Sequence, residues 1–221
     1  MSQKRIKGGL FITFEGGEGA GKTTLIDKVE ENLKKRDFFL LRTREPGGTK
    51  IGEEIRKLLL YHAKDKLFSS RMELCLFLSA RAQHVEEVLL PALSKGKIIL
   101  CDRFSDSTVA YQGIARKLGQ KKIKDFCSFV TQDLWPDITF YLDIPPKIGL
   151  KRINAKEKKR FQKKGLDRIE SEKIAFHEKI RKGFHKIAKK EKKRFYIINS
   201  KLSPENVFYQ VKEILDKFLK K

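Results

Sequence analysis

The chain has 221 residues, enough for one domain that buries its own core without disulfides or a structural metal. Its 50 Lys/Arg and 28 Asp/Glu give a net charge of +22, which favours polyanionic ligands but does not choose between nucleic acid, anionic membranes and nucleotides. No apolar run approaches the roughly 20 residues of a membrane span, and no Cys-x-x-Cys pair suggests zinc or redox chemistry.

Short apolar runs alternate along the chain with segments of helical periodicity. The runs that predict strands are 10–14, 38–41, 97–101, 138–142 and 195–198. The segments that predict helices are 23–35, 51–60, 70–93, 105–116, 123–132, 147–160, 170–190 and 204–219. Since continuous apolar strands need cover on both faces, we expect a three-layer α/β fold with a central parallel five-stranded sheet. Residues 1–221 show no linker or repeat and are expected to form a single domain, with a short basic lid at about 152–166.

A glycine-rich loop follows the first predicted strand and opens the first predicted helix. Its glycines let backbone N–H groups turn toward an anion, Lys22 can reach the β- and γ-phosphates, and the Thr23 hydroxyl can bind Mg²⁺. The helix N-terminus adds its dipole, whereas the spacing does not fit a dinucleotide-binding loop. The sequence therefore predicts a P-loop NTPase fold with ATP and Mg²⁺ as cofactors. The expected ATP-binding residues are Gly16, Gly17, Glu18, Gly19, Ala20, Gly21, Lys22, Thr23 and Thr24.

Asp102 and Arg103 end another buried strand, where a parallel sheet presents its ligand groups. We expect Asp102 to hold Mg²⁺ and the Arg103 fork to bind a second, accepting phosphate. The alternative is an internal Asp-Arg ion pair. No Asn-Lys-x-Asp motif of a GTPase is present in the sequence. A donor loop, a second cationic pocket and a lid together indicate phosphoryl transfer to a small acceptor.

Five motifs in chain order, spanning the chain from about Leu10 onward, resemble those of bacterial-type thymidylate kinases. They are Phe14-Glu15-Gly16-Gly17-Glu18-Gly19-Ala20-Gly21-Lys22-Thr23-Thr24, Thr43-Arg44-Glu45-Pro46-Gly47-Gly48-Thr49, Asp102-Arg103-Phe104, Tyr111-Gln112-Gly113 and Leu166-Asp167-Arg168-Ile169-Glu170. The resemblance implies transfer of the ATP γ-phosphate to dTMP, on the pathway to dTTP.

The same resemblance implies roles for individual residues. Glu18 would lie near the sugar 3′-hydroxyl and Mg²⁺, and Tyr111 would crowd a ribose 2′-hydroxyl. Phe77 and Arg81, four residues apart on one helix face, would stack on thymine and bind its exocyclic oxygen; the alternative is a core Phe77 and a surface Arg81. The implied substrate-binding residues are Glu45, Arg56, Phe77, Arg81, Arg103, Thr108, Tyr111 and Gln112.

The catalytic cation is expected to come from the lid. Some family members carry an arginine inside the P-loop, where this chain has Gly19. The candidates are Arg152, Lys156, Lys158, Lys159 and Arg160, of which Arg152 and Arg160 are favoured for their bidentate forks. The expected catalytic set is Lys22, Arg103, Asp102, Glu18, Arg152 and Arg160, and the expected metal ligands are Thr23, Asp102 and Glu18.

Two other functions stay open at this point. One is a P-loop kinase acting on dCMP, AMP or a deoxynucleoside, and the other is a basic nucleic-acid-binding ATPase. The second rests on charge, with 19 Lys/Arg and 6 Asp/Glu over 151–194, but residues 154–168 hold one aromatic ring, Phe161, for base stacking. We therefore expect no nucleic acid or membrane partner.

The remaining expectations concern location, assembly, and the histidines and cysteines. A cytoplasmic enzyme is expected, and the resemblance implies a homodimer through helices 70–93 and 105–116. Surface or packing positions without catalytic roles are expected for His62, His84, His177 and His185. Reduced thiols in or near the core are expected for Cys75, Cys101 and Cys127.

Overall fold

The computed structural model describes residues 3–61, 69–160 and 168–219. Among these residues, five strands form one parallel sheet in the order β2-β3-β1-β4-β5. The strands are β1 (Leu10–Gly16), β2 (Leu40–Arg44), β3 (Ile98–Asp102), β4 (Ile138–Asp143) and β5 (Phe195–Asn199). The predicted α/β fold with a central parallel five-stranded sheet is confirmed.

Helices cover both faces of this sheet. They are α1 (Lys22–Lys34), α2 (Lys50–Tyr61), α3 (Ser70–His84), α4 (Leu90–Ser94), α5 (Ser105–Thr108), α6 (Gln120–Thr131), α7 (Pro146–Arg160), α8 (Ile174–Lys190) and α9 (Pro204–Leu219). No helix in the described part of the chain is both long and apolar enough to span a membrane.

Two predicted helices are interrupted by π-helical geometry. Segment 70–93 divides into α3, a π-helical stretch at Val85–Leu89 and α4, and segment 105–116 divides into α5 and a π-helical stretch at Val109–Ala115. Helical periodicity does not distinguish these geometries, and π-bulges are frequent at functional sites. Helix α8 begins at Ile174 rather than at residue 170, because residues 168–171 form a turn.

Strand β1 explains how the layers are arranged. Ile12 and Phe14 point to one face and pack in a cluster with residues of α1 and α9. Phe11 points to the other face, against Val85 and Phe104. Since side chains alternate along a strand, Thr13 and Glu15 share the face of Phe11, and both are fully buried. A carboxylate is thus buried in the central strand beside the end where ligands bind.

The carboxyl ends of the strands bring the expected site residues together. Phe14 of β1 is in register with Asp102 of β3, and Gly16 is in register with Leu142 of β4. The loop after β1 and the turn after β3 therefore meet at one edge of the sheet. This is the edge at which open α/β sheets bind their ligands.

Candidate active site

A cavity of about 710 Å³ lies at this edge. Its lining includes every described residue that the sequence predicted for the site, except Gly16 and Gly17. The side chains of Lys156, Lys158, Lys159 and Arg160, and the motif residues Leu166 and Asp167, lie outside the described residues.

The loop between β1 and α1 forms one end of the cavity. Lys22, in the first turn of α1, donates from Nζ to the carbonyls of Gly16 and Gly17 at 3.3 and 3.4 Å. Burial lowers the pKa of Lys22, and the charge of Arg103 lowers it further, against the opposing effect of Asp102 and Glu18. The lysine is thus held along the loop at the place where phosphates would enter.

The loop also touches helix α7, backbone against backbone. Gly19 has φ +68°, and a Cβ there would collide with the carbonyl of Gly149 in α7. A Cβ on Gly149 would in turn collide with the carbonyl of Glu18. Both positions therefore require glycine, which places the base of α7 directly on the phosphate loop.

Arg103 joins the loop to the turn after β3. Its Nη1 donates to Gly16 O at 2.9 Å and to the Tyr111 hydroxyl at 3.1 Å, and its Nη2 donates to Glu18 Oε1 at 2.6 Å. Burial would raise the pKa of Glu18, but the charges of Arg103 and Lys22 outweigh it and hold that pKa below its ordinary value. Arg103 thus pairs with Glu18 rather than with Asp102, contrary to the alternative of an internal Asp-Arg pair.

Asp102 keeps a free oxygen. Its Oδ1 is buried and has no hydrogen-bond partner among the described residues. Buried carboxylate oxygens without hydrogen-bond partners are rare in folded proteins, so this oxygen is a candidate for binding a ligand or an ion.

Arg81 and Glu45 form the floor of the opposite end. Arg81 is 2% exposed, donates from Nε to Glu45 Oε2 at 2.7 Å and from Nη1 to Thr108 Oγ1 at 2.9 Å, and lies over the Phe104 ring. Burial would raise the pKa of Glu45, but the Arg81 charge and the hydrogen bond with His84 hold it below its ordinary value. Arg81 is therefore not the surface residue of the alternative interpretation, and the Glu45 carboxylate is engaged in fixing it.

Phe77 and Gln112 line the same end. Phe77 is half-buried, one turn before Arg81 on α3, so a ring face and a guanidinium reach one cavity from a single helix. Gln112 donates from Nε2 to Glu73 Oε1 at 2.6 Å. Glu73 also pairs with Arg168, which connects the turn at residues 168–171 to α3. A buried polar network thus closes this end of the cavity.

Arg152 connects α7 to the far side of the phosphate loop. Its Nη1 donates to the carbonyl of Ser200 at 3.1 Å, and the Ser200 hydroxyl donates to the carbonyl of Ala20. Arg152, Ser200 and Leu202 all line the cavity beside the loop. Helix α7 extends through Arg160, so the basic segment starts as a helix.

One of the three cysteines differs from expectation. Cys101 and Cys127 are buried as predicted, but Cys75 is exposed, because it occupies the solvent face of α3.

His84 is fully buried between Thr43 and the Glu45 carboxylate, which is a packing position close to the site. His62 lies outside the described residues. No group of three or more His, Cys, Asp or Glu in the described segments is arranged to hold a metal ion.

Comparison with known proteins points to one family. The sequence model of the thymidylate kinase family matches residues 14–211. The chain is 49% identical to a thymidylate kinase of Protochlamydia amoebophila (strain UWE25), over 98% of this chain and 96% of that protein. The chain belongs to the thymidylate kinase family.

Further similarities agree with this family. The chain is 42% identical to a thymidylate kinase of Desulfovibrio desulfuricans, over 96% of this chain and 97% of that protein. A crystal structure of thymidylate kinase from Ehrlichia chaffeensis superposes with a TM-score of 0.74 at 32% identity, covering 94% of this chain and 98% of that one. The prediction of a nucleoside monophosphate kinase is confirmed.

Sequence reasoning missed several residues of this kinase site. Ser107 lines the cavity, and Glu15 and His84 contact residues that do. The signal for Glu15 was present, since a glutamate in an otherwise apolar central strand needs buried partners. His84 and Ser107 gave no comparable signal, because each depends on contacts far along the chain.

Proposed function

We propose that the 710 Å³ cavity is where the chain, a thymidylate kinase by family, transfers the γ-phosphate of ATP to dTMP, a step on the way to dTTP. The observation that carries the proposal is one continuous cavity with a phosphate loop at one end and the Phe77–Arg81 pair at the other. Donor and acceptor can meet there with their phosphates at Arg103.

The donor end is assigned to ATP. The loop residues from Glu18 to Thr24 surround the polyphosphate through backbone N–H groups, and Lys22 contributes its charge. Leu202, Pro204 and Val207 line the neighbouring wall and offer an apolar surface to the base. Gly16 and Gly17 do not line the cavity, and their carbonyls accept hydrogen bonds from Lys22. The Gly16 carbonyl also accepts from Arg103, so these two glycines support the loop rather than contact the nucleotide.

The acceptor end is assigned to dTMP. Phe77 supplies a ring face for thymine, and Arg81, fixed by Glu45 and Thr108, presents a planar donor edge. Tyr111 and Gln112 close the wall around the sugar, and the bulk of Tyr111 disfavours a ribose. The acceptor phosphate is assigned to Arg103 and Arg56, which line the cavity between the two ends.

The transfer itself needs no nucleophilic side chain. An oxygen of the dTMP phosphate attacks the γ-phosphorus directly, so the residues act by positioning and by charge. Lys22 and Arg103 stabilise the negative charge that develops between donor and acceptor. We assign Arg152, which lines the cavity, to assist them, and Arg160 remains a candidate by sequence alone.

Magnesium fits the residues present. The buried, unpartnered Oδ1 of Asp102 and the exposed side chain of Thr23 line the cavity together, and oxygen ligands of this kind suit Mg²⁺. Bound there, the ion would shield the charge of the ATP polyphosphate. Glu18 fits this role less well, because its Oε1 already accepts from Arg103 and Tyr111.

We further propose that residues 1–221 act as one kinase domain with a lid at about 152–166. For a homodimer we assign the interface to α2, α3 and α6, which carry five of the ten exposed large apolar side chains in the described part of the chain. They are Ile51, Leu58, Met72, Phe126 and Phe129. Of the two helices expected at the interface, 105–116 is unsuitable, because its residues are mostly buried beneath α6 and α8.

The test is an assay of ADP release by the purified chain with ATP and Mg²⁺, across dTMP, dUMP, dCMP, dGMP and AMP, with dTDP identified directly. We expect the highest kcat/KM with dTMP. Formation of no dTDP, or equal turnover with all five acceptors, would refute the proposal. An arm with added DNA should leave ATP hydrolysis unchanged.

A further inference from the structure

Glu15 is a buried carboxylate that the proposed reaction does not use. It is fully buried in β1, on the face that it shares with Phe11 and Thr13. Burial, and then the nearby Asp106, raise the pKa of Glu15 to about 7. A group that is costly to bury in the central strand of the sheet calls for a specific role.

Both oxygens of Glu15 are used by the turn that follows β3. Glu15 Oε1 accepts from the backbone N–H of Phe104 at 2.8 Å, and Oε2 accepts from Ser107 Oγ at 2.5 Å. Phe104 directly follows Arg103, and Ser107 lies one turn further on, in α5. The Glu15 side chain therefore forms two hydrogen bonds with the segment immediately after Arg103.

That turn adopts a backbone conformation that needs support. Arg103 has φ +72°, in the left-handed region that residues with a Cβ rarely occupy. Such residues persist where their surroundings over-determine them. Here the N–H of Arg103 donates to Phe14 O at 3.0 Å, and the next N–H, that of Phe104, donates to Glu15. Successive residues of β1 thus hold successive N–H groups of the turn.

The left-handed turn sets the direction of the Arg103 side chain. Its guanidinium crosses back toward the phosphate loop, to Gly16 O and Glu18, rather than continuing along β3. We infer that Glu15 is a positioning residue: it holds the Arg103 turn so that the guanidinium meets the acceptor phosphate. The inference rests on the proposed assignment of Arg103 to that phosphate.

A second anchor holds α5 without touching the turn. Asp106 accepts two hydrogen bonds from Arg194, at 2.7 and 2.9 Å, on the side of α5 away from the cavity. Neither of these bonds reaches the backbone of Arg103 or Phe104, whereas Glu15 accepts from the Phe104 N–H. Loss of Glu15 should therefore release the arginine while α5 stays attached.

The experiment compares Glu15→Ala with Glu15→Gln and with a matched control, Thr13→Val. Thr13 lies on the same strand and face, and its buried hydroxyl contacts that of Thr139 at 2.9 Å, away from the turn. Glu15→Ala should raise the KM for dTMP roughly 10- to 100-fold and leave the KM for ATP within about threefold, since a small misplacement of a positioned group is costly. Glu15→Gln should restore most of the affinity, because its amide can accept from Phe104 and donate to Ser107.

The decisive measurement is the inhibition constant of thymidine, a nucleoside that lacks the phosphate of dTMP. Glu15→Ala should weaken dTMP binding but leave the inhibition constant of thymidine unchanged, and Thr13→Val should change neither. Equal losses for dTMP and thymidine, or parallel rises in both KM values, would overturn the inference and indicate general damage to the fold.

Two further results keep the test clear. If Glu15→Ala does not fold, Glu15→Asp, which is one CH₂ shorter and cannot reach both partners, should shift the KM for dTMP in the same direction; an unchanged KM would overturn the inference. Wild-type enzyme that fails to phosphorylate dTMP would defeat the proposed function itself. If the wild-type enzyme is active and Glu15→Ala weakens dTMP and thymidine equally, only the role of Glu15 is refuted.

Discussion

Arg103 and Glu18 form an ion pair with 2.6 Å between Nη2 and Oε1, and this pair joins the two ends of the cavity. Glu18 belongs to the phosphate loop, and Arg103 belongs to the turn after β3. Both side chains are 17% exposed, so the pair is sheltered but reachable from the cavity. The pair therefore lies where the two ends of the cavity meet.

Lys22→Ala should reduce kcat by roughly 1,000-fold or more, because the charge that stabilises the transferred phosphoryl group is lost. Steady-state kinetics with dTMP and ATP measure the effect. Lys28→Ala is the matched control, since Lys28 lies on the same helix and pairs with Glu205 at the surface. A Lys22→Ala enzyme with a tenth of wild-type turnover would contradict the assignment.

Phe77→Ala should raise the KM for dTMP roughly 10- to 100-fold, because the buried face of an aromatic side chain is worth about 1.5–3 kcal/mol. The KM for ATP should stay nearly unchanged, since the ring lines the acceptor end. Tyr209→Ala, an exposed aromatic on α9, provides the control. Normal dTMP affinity in the Phe77 variant would refute the thymine pocket.

Gly149→Ala should raise the KM for ATP and lower the melting temperature. The new Cβ would collide with the Glu18 carbonyl, and backbone atoms cannot move aside as a flexible side chain can. The exposed Lys151 lies on the same helix, so Lys151→Ala serves as the control. A fully active Gly149→Ala variant would show that α7 does not rest on the loop.

Glu15→Gln should change the pH dependence of stability. The pKa of Glu15 is raised to about 7 in the folded chain from 4.5, so its protonated form favours folding below pH 4.5, and this contribution is lost as pH rises through about 7. Relative to wild type, Glu15→Gln should therefore gain up to about 3 kcal/mol of unfolding free energy at pH 8 and almost none at pH 4.5. Urea unfolding at the two pH values measures the difference. An equal difference at both would contradict the assignment of the raised pKa.

Phe129→Asp should convert a dimer to a monomer if α2, α3 and α6 form the interface, since Phe129 is 83% exposed and a carboxylate there would be buried on association. Sedimentation analysis gives the mass directly. Tyr209→Asp places the same charge at an exposed site on α9 and should leave the mass unchanged. A dimeric Phe129→Asp protein would place the interface elsewhere.

The local parts of this protein could be predicted from its sequence. The alternation of apolar runs and helical periodicity, the spacing of Gly16, Gly21 and Lys22, and Asp102 at a strand end are properties of contiguous residues. They predicted the sheet, its helices and the phosphate loop because strand and helix periods are expressed within about ten residues. The Phe77–Arg81 pair, whose role the family resemblance implied, is also local, since the two residues lie one turn apart on α3.

The tertiary structure determines which residues from distant parts of the chain come into contact. Glu15 contacts Phe104 and Ser107, 89 and 92 residues further along the chain, because β3 lies beside β1 in the sheet. The bond between Arg81 and Glu45 likewise spans 36 residues, and the left-handed backbone of Arg103 has no local signature. The order of the strands, and the face of the sheet to which each side chain points, depend on the packing of the whole core. The partners of the Glu15 carboxylate could therefore not be predicted from the neighbouring residues in the sequence.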